Sequence, residues 1–119
     1  MISVRRIYNL PDKKEGKWFL VDRLWPRGIK KESLAIDAWF KHIAPSNELR
    51  KQFDHNPEKW DEFKERYYAE LESKEAETEL NQLFDAIRTG DVTLLYSARN
   101  EEYNNAVALM EYLKAHIQE

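Results

Sequence analysis

The run Val21-Asp22-Arg23-Leu24-Trp25-Pro26-Arg27-Gly28 sets one acid, two guanidinium groups and a large ring directly after the apolar segment WFLV. A second apolar run, VTLLY, also ends in polar groups, Ser97-Ala98-Arg99. Arginine forks match carboxylate and phosphate oxygens, so Arg23, Arg27 and Arg99, with Ser97 as a hydroxyl donor, are candidate contacts for a small anionic ligand of phosphate or nucleotide character. Asp22 is a candidate catalytic group that would orient an arginine or a water. His55 is the candidate acid/base, because imidazole titrates near neutrality and its loop can fold toward the strand ends. Such a set would work electrostatically, by fixed cations facing developing negative charge. Structural roles stand beside these functional ones. Asp22 and Arg23 can serve only to satisfy charges at a strand end. Trp25 can close over the core or stack on a planar ligand. Arg50 can reach the site or pair with an acidic neighbour, and His55 can pack beneath an aromatic helix.

Several chemistries are excluded by residue type. The chain has no cysteine, which removes thiol nucleophiles, disulfides and Cys-based zinc sites. His42 and His55 lie 13 residues apart, a spacing that matches no metal motif, so neither a metal nor a cofactor is expected. Ser97 lacks a nucleophile-elbow sequence, and a glycine-rich phosphate loop is missing.

The elements that must position these residues follow from periodicity. Ile2–Ile7 alternates as an edge strand does, while Trp18–Leu24 is apolar on both faces and reads as central. Ser46 caps a short helix carrying Leu49 and Phe53, and Asn56-Pro57 opens a second with Trp60, Phe63, Tyr67 and Leu71 as its core stripe. A third helix presents Leu80, Leu83, Phe84 and Ile87 and ends near Gly90, which suits a left-handed cap. Val92–Tyr96 is the next strand, and a final helix follows with Asn100 as its cap. The order β-β-α-α-α-β-α predicts one small three-layer α/β domain over residues 1–119, with a short, mainly parallel sheet of about three strands and flanking helices. In open parallel sheets, ligands bind beyond the carboxyl ends of the strands, where both charged termini should meet.

Longer motifs then become recognisable. VDRLWPRGI, the pattern formed by Trp39, Lys41, Ala44, Pro45, Ser46, Leu49 and Arg50, the run from His55 through Trp60 to Phe63, and LLYSAR with a following Asn104 resemble the bacterial YeaO-like family, domain of unknown function 488. The resemblance spans nearly the whole chain and adds Lys41 and Asn104 to Arg50 and Trp25 as candidate ligand contacts. It also implies kinship with a wider class that often carries cysteines after the last strand, at places matched here by Tyr96 and Asn104. No thiol chemistry can therefore operate in this chain.

Charge is unevenly divided. Residues 1–56 carry 12 Lys+Arg against 7 Asp+Glu, whereas residues 57–119 carry 7 against 15. A duplex-binding domain presents a basic face, and the acidic second half argues against nucleic acid as a partner and for a local anion site. The amino terminus has no apolar leader, and no run is long enough to span a bilayer, so a cytoplasmic protein without membrane contact is expected. Three readings remain open: an anion-binding domain with or without catalysis, a non-catalytic interaction or sensing module, and a DNA-binding regulator.

Overall fold

The computed structural model describes residues 1–117. Strand β1 (Ile2–Arg6) is followed by β2 (Lys17–Leu20), the two-residue β3 (Ala38–Trp39), α1 (Asn47–Phe53), α2 (Trp60–Leu71), α3 (Lys74–Thr89), β4 (Val92–Tyr96) and α4 (Asn105–Ile117). The strands form one sheet in the order β1-β4-β2-β3, and every pair is parallel. The last strand of the sequence is therefore central, and β1 is an edge, parallel to its neighbour.

Alternation divides the sheet between two cores. Val4, Leu94 and Phe19 share a register row, and they face the helices together with Val21, Val92 and Tyr96. Phe63, Tyr67 and Leu71 of α2, Leu80 and Leu83 of α3, and Leu109 and Leu113 of α4 fill that side. Tyr67 is fully buried, yet its hydroxyl donates to the Ile43 carbonyl at 2.6 Å, so its polar tip is satisfied. On the other side Trp18, Leu20, Leu95 and Ile7 are covered by the long segment after β2, which contributes Trp25, Ile29, Leu34 and Ile36. The third layer is thus a loop with a 3-10 turn at Lys31–Ser33. It is held by the Trp25 indole, which donates to the Ile29 carbonyl at 2.7 Å and packs edge-on against Trp39.

Several boundaries differ from their sequence patterns. The second strand ends at Leu20, because after Val21 donates to Leu95 the chain turns away; Leu24 is left 57% exposed. β3 is too short for periodicity to reveal. Ser46 does cap α1, accepting from the Leu49 amide, and Asn56 accepts from Glu58 at a 3-10 turn that leads into α2. Gly90 has φ 172°, an extended rather than left-handed conformation, and the left-handed cap belongs instead to Asp54 after α1. Asn100 does not start α4. It accepts from Glu102 and Tyr103 within the preceding loop, and Asn104 caps the helix by accepting from Val107.

Two glycines have positive φ for different reasons. At Gly16 (φ +71°) an added Cβ would lie 2.5 Å from the Asp91 carbonyl, whereas at Gly28 (φ +77°) it would meet no atom within 4 Å. Gly16→Ala combines left-handed strain with a backbone clash at the point where β2 joins β4, and should lose about 2–4 kcal/mol; Gly28→Ala carries strain alone and should lose about 1 kcal/mol. Urea unfolding of both variants checks the difference.

Candidate functional site

The carboxyl ends of β2 and β4 are joined by Asp22. One carboxylate oxygen accepts from the Ser97 amide at 2.9 Å and from the Ser97 hydroxyl at 2.7 Å. The other accepts from the Asn105 side-chain amide at 2.9 Å, and the same amide reaches the Val21 carbonyl at 2.8 Å. The second residue past β2, the first past β4 and the first residue of α4 are thereby locked together. The Asp22 carbonyl is also taken, by the Trp39 indole at 2.7 Å. Burial raises the Asp22 carboxyl above its ordinary value; the bonds from Ser97 and Asn105, and the positive charge of Arg50, oppose that shift without cancelling it. Tyr67 is held well above the usual tyrosine range by its own burial and then by the negative charges of Asp22 and Glu70.

The arginines separate into two groups. Arg23 turns toward the helices: its guanidinium donates to the carbonyls of Pro45 at 3.1 Å and Ala44 at 2.8 Å and lies 3.8 Å from Glu75. Arg50 donates to Asn47 at 2.7 Å. Arg27 and Arg99 are exposed, with no ion pair or side-chain hydrogen bond among the described residues. They are linked through a residue that the charged motifs did not reveal. Arg6, at the end of β1, donates from Nε to the Ala98 carbonyl at 2.9 Å, and its guanidinium lies 4.7 Å over the Tyr8 ring. The Tyr8 hydroxyl in turn donates to the Arg27 carbonyl at 2.8 Å. Arg6 and Tyr8 thus tie the backbone beside Arg99 and that of Arg27 to one rim of the sheet. The signal available in the sequence was an Arg5-Arg6 pair at the end of an edge strand.

Other candidates lie apart. His55 is exposed, with φ +55°, at the corner between α1 and α2, and makes no hydrogen bond to Asp22 or Ser97. Lys41 is exposed, 5.2 Å over the Trp39 ring. Asn104 is buried, and both ends of its amide are engaged, one by Val107 and the other by the Asn100 carbonyl. Among the described residues no group of three or more His, Asp and Glu side chains is arranged to hold a metal ion, and no helix is long and apolar enough to cross a membrane. An open groove of about 270 Å³ runs beside β1, bordered by Arg5, Arg6, Asn9, Tyr96 and Glu101.

Replacing Asp22 by Asn turns an acceptor-only group into one that presents an amide to donors from Ser97 or Asn105. Asp22→Asn should therefore lose about 1–3 kcal/mol of stability. Because the folded carboxyl titrates above its unfolded value, the native state binds its proton more tightly. That contribution is fully present below the ordinary aspartate range and is lost as pH rises through the elevated folded value. The stability difference between wild type and Asp22→Asn should accordingly shrink as pH rises from the ordinary aspartate range, as measured by denaturant melts at a series of pH values.

A family model described as the inactive DUF488-N3 subclade matches residues 1–119. The chain is 44% identical over 114 residues to the uncharacterized protein YeaO of Escherichia coli, covering 96% of this chain and 97% of that protein. It is 39% identical over 114 residues to the uncharacterized protein Mb3100c of Mycobacterium bovis and to Rv3073c of Mycobacterium tuberculosis, covering 94% of this chain and 92% of each. No solved structure matches. On this evidence the chain belongs to the YeaO-like DUF488 family.

Proposed function

We propose that this protein is a binding module without catalytic chemistry of its own, which holds a small anionic ligand of phosphate or carboxylate character at the carboxyl-end rim of its parallel sheet. The observation that carries this reading is the Arg6–Tyr8 link, which draws the backbone beside Arg99 and that of Arg27 to one rim while their charged groups stay unpaired among the described residues. Unpaired guanidinium groups beyond the carboxyl ends of parallel strands can fork onto phosphate or carboxylate oxygens.

The absence of catalysis is supported separately. Both oxygens of Asp22 are engaged by three donors, and His55 is not bonded to it. The family resemblance implies that Tyr96 and Asn104 stand where the wider class often carries cysteines, and the matching subclade is described as inactive. Arg23, bound to two carbonyls, is a structural strut in this reading rather than part of an anion clamp. A cytoplasmic location fits a chain without cysteine, and nucleic acid is disfavoured by its acidic second half.

A thermal-shift series with inorganic phosphate, adenosine monophosphate and citrate tests the proposal. At least one should raise the wild-type melting temperature by about 5 °C or more when present well above its dissociation constant. The double variant Arg27→Ala/Arg99→Ala should lose that rise while melting, without ligand, close to wild type. No rise with any of the three, or an undiminished rise in the variant, overturns the reading.

A further inference from the structure

The rim adjoins a feature that small-anion binding does not use. β1 pairs only with β4, and its outer edge is open. In a parallel ladder alternate residues direct both backbone groups to the same neighbour. The Met1 carbonyl accepts from Val92 and the Ile7 amide donates to Tyr96, so Met1, Ser3, Arg5 and Ile7 face β4. Ile2, Val4 and Arg6 therefore direct their amides and carbonyls outward. The Arg6 carbonyl is taken by the Asn9 amide at 2.9 Å, which closes the strand with a turn. The amides of Ile2, Val4 and Arg6 and the carbonyls of Ile2 and Val4 have no partner among the described residues.

Alongside this edge runs the groove that Ser3, Val4, Arg5 and Arg6 border in succession. Charge is concentrated at its far end. Arg5 is exposed without an ion pair among the described residues, and Arg6 commits only its Nε, which leaves its two terminal nitrogens free. The outward Arg6 amide is a further free donor at this end of the strand. Glu101 stands at this same end, near Tyr96, and disfavours a ligand that brings more than one negative charge there.

We infer that β1 accepts an extended peptide as an added strand, parallel to β1, whose free C-terminal carboxylate sits between Arg5 and Arg6. A parallel strand is the one whose carboxyl end arrives at Arg6, and its backbone supplies the partners that Ile2 and Val4 lack. The occupant is a neutral, β-forming segment with a single negative end. This inference rests on the anion-holding rim proposed above, because the carboxylate uses that rim's Arg6. Basic residues on edge strands also serve to deter pairing between chains. Here both stand at one end of the strand and leave Ile2 to Val4 uncharged.

Amide-resolved NMR titration of the full chain separates the outcomes, with sodium acetate, inorganic phosphate, the peptide Val-Thr-Val-Thr-Val with a free carboxylate, and the same peptide as its C-terminal amide. The free-carboxylate peptide should shift the Ile2, Val4 and Arg6 amides and bind at least about tenfold more tightly than acetate or the amidated peptide. Arg5→Glu should abolish this preference. Val4→Pro should remove peptide binding while leaving acetate bound, since it deletes an outward amide that contributes nothing to the ladder with β4. If acetate or phosphate binds at the rim but the peptide is no tighter and the Ile2 and Val4 amides do not move, strand addition is wrong and the anion site survives. If none of the four probes binds, both fail. If the β1 amides shift with protein concentration alone, the edge is filled by a second copy and the peptide inference is overturned.

Discussion

The polar end of this sheet depends on one carboxylate. Asp22 accepts from the residue just past β4 and from the residue that opens α4, so three chain segments far apart in sequence converge on two oxygen atoms. A buried carboxylate is tolerated only when its lone pairs are filled, and the geometry fills them with two side-chain donors and one backbone amide. The same arrangement fixes the Ser97 hydroxyl as a donor toward the carboxylate.

Guanidinium groups elsewhere follow a similar division between holding and offering. Arg23 faces the chain leading into α1 and binds its carbonyls, the kind of work an arginine does when a loop must be pinned without a ladder. Glu79 does the complementary task at the next turn, accepting from the amides of His42 and Ile43. Glu70 accepts from both the amide and the hydroxyl of Ser46. The connection between β3 and α1 is thus clamped by acids from two helices and one arginine. Charges that look available in the sequence are already engaged there, whereas those around Arg6 are not.

How much was legible in the sequence depended on whether the signal was local. Helices α1 to α4 and strands β1, β2 and β4 announced themselves through apolar spacing, and the Ser46 and Asn56 side chains through cap chemistry, which acts across two or three residues. The meeting of Asp22 with Ser97 could be anticipated from topology, because parallel strands linked by a helical crossover bring their carboxyl ends together. Which way Arg23 would turn could not, since that depends on the path of residues 44 and 45. Arg6 was missed because a basic residue on an edge strand looks like ordinary solvated surface, and its bond to Ala98 spans 92 positions. Asn100 was expected to cap the last helix, but Asn104 does so. The loop geometry after β4 decided between them.

The position of β4 bears on how such a chain comes together during synthesis. β1 and β2 flank it and do not pair with each other, so neither can complete its place in the sheet until Val92–Tyr96 has left the ribosome. Until then the nascent chain lacks the strand with which both must pair. Non-local pairing of this kind slows folding and leaves strand edges uncovered meanwhile. The molecule therefore cannot commit to its shape before β4 has been made.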